Sequence, residues 1–179
     1  MPTRRELLLD AAIDLLGTRG ARALTHRAVD DAAGMPAGSA SNYFRTRDAL
    51  LAALAERLEE RDHADWTALS RMPAPTTVEQ LVSAAATFVG HAVTTDRART
   101  MARYALFLEA QADGPRDAVR RGRGRLTEWA AEQLRGVGAD DAVAPILVDY
   151  LDGLILHGIV APDFDPRPGL ERMVAALVD

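Results

Sequence analysis

The chain contains no cysteine, and all 21 of its Lys+Arg positions are arginine. Without thiols it can form neither disulfides nor the usual structural zinc sites. Aromatic residues are only 5% of the 179, against 48% hydrophobic overall. The core must therefore be built mostly from Leu, Ala and Val, which suit close helix packing better than a β-sandwich. No uninterrupted apolar run of about 18 residues occurs. The best candidate, around Ile146–Val160, carries Asp149, Asp152 and His157. Near the N-terminus, Glu6, Asp10 and Asp14 interrupt any signal-peptide-like pattern after Arg4 and Arg5. A soluble, cytoplasmic protein with no membrane partner is expected. There is no His-Glu-x-x-His, no Gly-rich phosphate loop, and only four dispersed histidines. Hence no catalytic site, metal site or cofactor is expected, and the protein does not read as an enzyme.

The absence of lysine reads as a compositional bias of the genome. Net charge is −5, which argues against a nonspecific nucleic-acid coat. The charge is unevenly placed, because residues 1–50 hold seven Arg and six Asp/Glu, net +1, and residues 51–179 carry −6. An acidic protein still binds DNA if its positive groups face one way, so the sum decides nothing.

Nearly every segment reads as helix. Leu8, Ala12, Leu15 and Leu16 fall at helical spacing before Gly20. Thr25 is an N-cap for a second helix carrying Val29, Ala32 and Ala33, and a third, short helix is expected from Pro36 to Tyr43. Thr46 can cap a long fourth helix with a stripe of Leu51, Leu54, Leu58, Trp66 and Leu69. "MPAPTT" (Met72–Thr77) is the clearest break. Five more helices follow, at 78–94, 97–112, 116–135, 142–160 and 167–178, separated by "DGP", "GVGADD" and "PDFDPRPG". An all-α fold of about nine helices is expected, with no strand-like alternation.

The stretch "LTHRAVDDAAGMPAGSASNYFRTRDALL" (Leu24–Leu51) gathers Thr, His, Ser, Asn and Tyr in an otherwise Ala-, Leu- and Arg-rich chain. Two helices around Gly34-Met35 make a helix-turn-helix. The second is short and polar: Ala37, Gly38, Ser39, Ser41 and Asn42 stand where a buried helix would show Leu or Val. Small residues let backbone approach a major groove, and Ser and Asn can bond base edges. Thr25, His26 and Tyr43 can reach phosphates, while Arg27, Arg45 and Arg47 add positive charge. Arg4 and Arg5 form either a minor-groove arm or a frayed terminus.

Leu24-Thr25, Val29, Ala33-Gly34, Gly38-Ser39, Tyr43-Phe44 and Arg47-Asp48-Ala49-Leu50, with Ala12, Leu15-Leu16 and Gly20 before them, resemble the N-terminal pattern of TetR-family transcriptional regulators. The resemblance covers about residues 4–54. It implies that Thr25 caps the second helix and touches phosphate, that Tyr43 contacts backbone or base, that Phe44 is core, and that Arg47 stands where the family usually has a phosphate-side Lys. Ser41 replaces a frequent Tyr, and Asp30 occupies a position where the family usually has a small residue. The implied organisation is a DNA-binding domain at 1–47 and an effector-binding and dimerisation domain at 48–179. The implied function is a dimeric regulator, most often a repressor, released from a palindromic double-stranded DNA operator by a small-molecule effector. The alternative is a helical protein-interaction module whose helix-turn-helix does not read DNA; the lack of apolar anchors in the short helix argues against it.

In the second part, Tyr104, Phe107, Leu108, Trp129 and His157 are the effector-pocket candidates by this resemblance. The bland reading is core packing. Five arginines in "RDAVRRGRGRLTEW" (Arg116–Trp129) read as a solvated helix face. The last two helices are apolar on more than one side. Leu147, Tyr150, Leu151, Leu154, Leu170 and Val174 are therefore expected at a homodimer interface, an all-internal core being the alternative.

Overall fold

Thr3 starts the first helix. Its hydroxyl accepts from the Glu6 N–H (3.2 Å), and its own N–H donates to Glu6 Oε2 (2.7 Å), a reciprocal capping box. Arg4 and Arg5 therefore lie in the first turn of helix α1 (Arg4–Arg19), and the minor-groove-arm reading gives way to an ordered helical one. The computed structural model describes all residues except 70–72, 110–112, 162 and 179, and all side chains except those and residues 66, 68, 69 and 113–115. The expected stripe members Trp66 and Leu69 thus lie outside the described side chains.

A single 3-10 turn (Ala21–Ala23) leads from α1 into α2 (His26–Ala32), where the Thr25 hydroxyl accepts from the Ala28 N–H at 3.2 Å. Helix α3 (Ser39–Tyr43) begins three residues later than Pro36, because Gly38 takes φ 92°, a left-handed conformation that cannot continue a helix. The chain continues through α4 (Arg47–Leu69), α5 (Val78–Val93), α6 (Arg97–Glu109), α7 (Asp113–Gly136), α8 (Ala144–Val160) and α9 (Arg167–Val178). Thr46 and Thr77 cap α4 and α5 through the amides of Ala49 and Gln80. The "DGP" segment is not a separator: Asp113–Pro115 opens α7, where proline's missing N–H has no partner to lose. Among the described residues there are nine α-helices and no strand, so the architecture is all-α.

The chain divides into two compact units. One holds Met1–His63 and Ala98–Gly122, the other Ala64–Arg97 and Arg123–Asp179. In the first, Leu8, Leu9, Ile13 and Leu16 of α1 share a core with Val29, Ala40, Phe44, Leu50, Leu54, Leu58, Ala102 and Leu106. Burying each Leu contributes about 1.5–3 kcal/mol relative to leaving it exposed. Backbone packs on backbone at one point, since a Cβ on Gly17 would overlap the carbonyl oxygen of Ala98.

In the second unit α5 packs against α8 and α9. Asp141–Val160 is long and apolar enough to cross a membrane by length and composition. In the fold it supplies core: Leu147, Val148, Leu151, Leu154 and Ile155 are buried, and Arg123 pairs with both Asp149 and Asp152. This corrects the expected interface. Leu147, Leu151, Leu154, Leu170 and Val174 lie inside their own chain, and Tyr150 is partly buried with its hydroxyl over Gly169. The apolar side chains that α8 leaves outward are Ile146, Leu156 and Val160, with open space at Gly153 between them.

Candidate nucleic-acid interface

Helix α2 packs on α3, and the turn between them is set by two left-handed glycines, Gly34 (φ 63°) and Gly38 (φ 92°). The Met35 N–H donates to the carbonyl of Asp30 (2.9 Å), and the Ser39 N–H to that of Pro36 (3.1 Å). Ala40 points inward and is fully buried, while Ser41 and Asn42 are exposed and Tyr43 is 50% exposed. Phe44, only 3% exposed, is the core partner beneath it, with ring centroids 6.1 Å apart. One short helix thus buries Ala40 and Phe44 and offers Ser41, Asn42 and Tyr43 to solvent. Such a surface can bond base edges and phosphates without unfolding anything.

The neighbouring positions differ from one another. Thr25 is an exposed cap, and Arg27 and Ala37 are exposed. His26 is partly buried, with its Nε2 shut away from solvent and without a hydrogen-bond partner among the described residues. The Ser39 and Ser41 hydroxyls donate to the carbonyls of Pro36 (2.6 Å) and Gly38 (2.9 Å), which pins the start of α3. Arg47 is half-exposed but committed to its own chain. Its guanidinium donates to the carbonyls of Leu24 (2.8 Å) and Ala21 (3.0 Å), with Glu109 3.8 Å away. It braces the segment leading into α2.

Electrostatics separate the arginines further. Arg4, Arg19, Arg22, Arg27 and Arg45 are exposed and have no hydrogen-bond or ion-pair partner among the described residues. Others in the same unit are occupied: Arg57 by Asp10, Arg103 by Asp62, Arg121 by Glu59. Arg5 lies over the Phe44 ring at 5.7 Å and pairs with Glu56. Of these uncommitted arginines, Arg27 lies in α2 and Arg45 directly after α3, Arg19 and Arg22 lie just before α2, and Arg4 opens α1. Sequence reading overlooked Arg19 and Arg22, which lie at the end of α1 and in the 3-10 turn, outside the helix-turn-helix itself.

The expected effector residues are divided between the two units. Tyr104, Phe107 and Leu108 belong to the first unit, where Phe107 and Leu108 are 63% and 76% exposed. Trp129 and His157 belong to the second; His157 is exposed, and Trp129 packs on Phe88 with centroids 6.0 Å apart. Phe88 carried no signal in the sequence beyond helical spacing.

A short polar helix exposed at the end of a helix-turn-helix, in a chain that is otherwise all helix among the described residues, defines a helix-turn-helix DNA-binding transcriptional regulator. Residues 8–54 match the family described as bacterial regulatory proteins, tetR family, and residues 76–179 match the tetracyclin repressor-like C-terminal domain. The chain belongs to the TetR family. No curated protein matches it. Among solved structures it is similar to SCO1917 of Streptomyces coelicolor A3, a member of the TetR family, at 28% identity, 99% of each chain and TM-score 0.73. It is also similar to the multidrug binding protein EbrR complexed with ethidium, at 28% identity, 99% of each chain and TM-score 0.71. The transcriptional regulator SCO7518 of Streptomyces coelicolor A3(2), at 22% identity and TM-score 0.76 over 99% of each chain, shares the fold.

Proposed function

We propose that this regulator works as a homodimer that represses transcription from a palindromic operator and is released by a small, flat aromatic effector. The observation that carries the DNA-reading part is the pairing of an outward Ser41, Asn42 and Tyr43 with the unpartnered arginines of the head. Residues 1–47 are the reading head and 48–179 the effector and dimerisation part. Thr25, His26, Arg27, Ala37, Gly38 and Ser39 line the backbone side of the contact, and Arg45 takes the phosphate role that the family resemblance assigns to Arg47. Two heads read half-sites in successive major grooves. Acting on chromosomal DNA, the protein works in the cytoplasm.

Dimerisation is supported by the outward stripe Ile146, Leu156 and Val160 on α8, spaced as one helix face. The effector class is supported by the Phe88–Trp129 pair and by the ethidium complex of the similar EbrR. An effector that binds the non-DNA conformation better shifts the population away from the operator.

Fluorescence anisotropy with duplex from upstream of the coding sequence tests the reading, with salt and competitor varied. With about six to eight phosphates neutralised per dimer, the log–log salt slope should be roughly −5 to −7. Tyr43→Ala should weaken binding while leaving the oligomeric state alone. If neither that duplex nor a random-sequence selection yields a preferred site, the head is not a DNA reader. Ethidium and proflavin should shift Trp129 emission in a Trp66→Phe background; unchanged emission removes the aromatic-effector part.

A further inference from the structure

Asp30, where the family usually carries a small residue, is 1% exposed and sits near the end of α2. Both oxygens of its carboxylate reach across to α3. Oδ2 accepts from the Gly38 N–H at 2.7 Å and Oδ1 from the Ala40 N–H at 2.6 Å. Its backbone carbonyl meanwhile accepts from Met35, so this one residue holds both the turn and the helix after it. Burying a carboxylate is strongly unfavourable unless charge-assisted hydrogen bonds replace its water, and these two short bonds do that.

The need for such a brace follows from length. Helix α3 has five residues, far too few to persist alone. The Ser39 and Ser41 hydroxyls are spent on carbonyls, so neither caps the free amides at the start of the helix. Asp30 supplies the acceptors from the neighbouring helix instead.

We propose that Asp30 is a positioning residue for sequence reading: its buried carboxylate fixes the rotation and height of α3 on α2 and so sets how Ser41, Asn42 and Tyr43 meet the bases. The inference rests on α3 being the DNA-reading helix. An Asn at this position keeps one acceptor oxygen but turns an NH2 group toward an N–H, and an Ala leaves both amides unpaired. Either change lets α3 shift while the exposed arginines stay in place.

The test compares wild type, Asp30→Asn and Asp30→Glu on an operator chosen by random-sequence selection and on an unrelated duplex, below the unfolding temperature of each variant. Asp30→Asn should lose about ten- to hundred-fold in operator affinity. Affinity for the unrelated duplex and the salt slope should hold within about two-fold, because phosphate contacts supply that binding. The Gly38 and Ala40 amide protons, followed by NMR, should move upfield as their carboxylate acceptor is lost. If Asp30→Asn does not fold, Asp30→Glu is read in its place and should show the same loss of selectivity with folding intact. A folded variant that keeps operator affinity, or that loses specific and nonspecific binding equally, overturns the role of Asp30. A wild type that selects no sequence overturns the DNA reading beneath it.

Discussion

Arg57 and Asp10 meet as a two-bond fork, Nε to Oδ1 at 3.0 Å and Nη2 to Oδ2 at 3.1 Å, joining α4 to α1. Glu6 and Glu60 stand on the same guanidinium, and Arg61 shares Asp10. The hydrogen bonds that Arg57 donates to Asp10, more than the charge of Asp10 alone, hold the Arg57 pKa above its ordinary value. With Arg57 only 17% exposed, solvent screens this pair less than a surface bridge. Arg57→Ala should destabilise the protein by about 1–2 kcal/mol in urea unfolding, because it leaves a partly buried Asp10 with only the longer contact to Arg61. Asp10→Asn should cost less than Arg57→Ala. Equal stability of all three proteins would mean that the fork contributes nothing net.

A pH effect belongs to the first turn of α1, one turn before Asp10. The Thr3 backbone N–H, then its hydroxyl, hold the Glu6 carboxyl below its ordinary value of 4.5. A depressed folded pKa gives stability that is present above the ordinary value and is lost as pH falls through the folded one. The melting temperature should therefore drop between about pH 5 and pH 3, and Glu6→Gln should remove part of that drop. Parallel curves for the two proteins would remove the capping box from the acid response.

The dimer prediction follows from burial. Leu156 is 49% exposed and Leu154 only 7% on the same helix. Leu156→Arg should give a folded monomer by sedimentation, with unchanged helical circular dichroism. Leu154→Arg should instead unfold the second unit, since an unpaired charge in a core typically costs several kcal/mol. A Leu156→Arg dimer would shift the interface to another surface.

These contrasts mark where the sequence was readable. The helix-turn-helix was legible because Thr25, Gly34 and the polar run after Pro36 are local signals whose spacing carries their meaning. Facing in α8 was not. A helix apolar on several sides has no periodic contrast to say which stripe meets α5, so its pattern does not separate the inward Leu147, Leu151 and Leu154 from the outward Ile146, Leu156 and Val160. The role of Asp30 is not legible in the sequence, because its partners Gly38 and Ala40 are set by a turn geometry absent from residue identities. For the effector aromatics the limit is the same as for α8: spacing puts Tyr104, Phe107, Leu108, Trp129 and His157 on helices but does not say which way each faces.

Gly17 and Gly122 test packing against propensity. Gly17 has the Ala98 carbonyl where a Cβ would go, whereas Gly122 has open space. Gly17→Ala should destabilise by about 1–3 kcal/mol, the cost of forcing atoms into a filled interior. Gly122→Ala should stabilise by roughly 0.5–1 kcal/mol, from helix propensity with nothing displaced. Urea titrations of both variants check the pair, and a stabilising Gly17→Ala would refute the close approach of α6 to α1.

Arg45 and Arg47, two residues apart, should separate binding from stability. Arg47 spends its guanidinium on the Leu24 and Ala21 carbonyls, the approach to the Thr25 cap. Arg45 is exposed and has no partner among the described residues. Arg47→Ala should therefore cost about 1 kcal/mol of stability, two charge-assisted bonds discounted for a half-exposed side chain. Arg45→Ala should leave stability within about 0.5 kcal/mol, as surface changes usually do. In DNA titrations the order reverses: Arg45→Ala should weaken operator and unrelated duplex alike, and reduce the salt slope by about 1 for each phosphate it no longer neutralises. Arg47→Ala should leave that slope unchanged, because a guanidinium already bound to carbonyls releases no counterion from DNA. The opposite pattern, a slope reduced by Arg47→Ala and kept by Arg45→Ala, would mean that Arg47 leaves its carbonyls on the operator to bind phosphate.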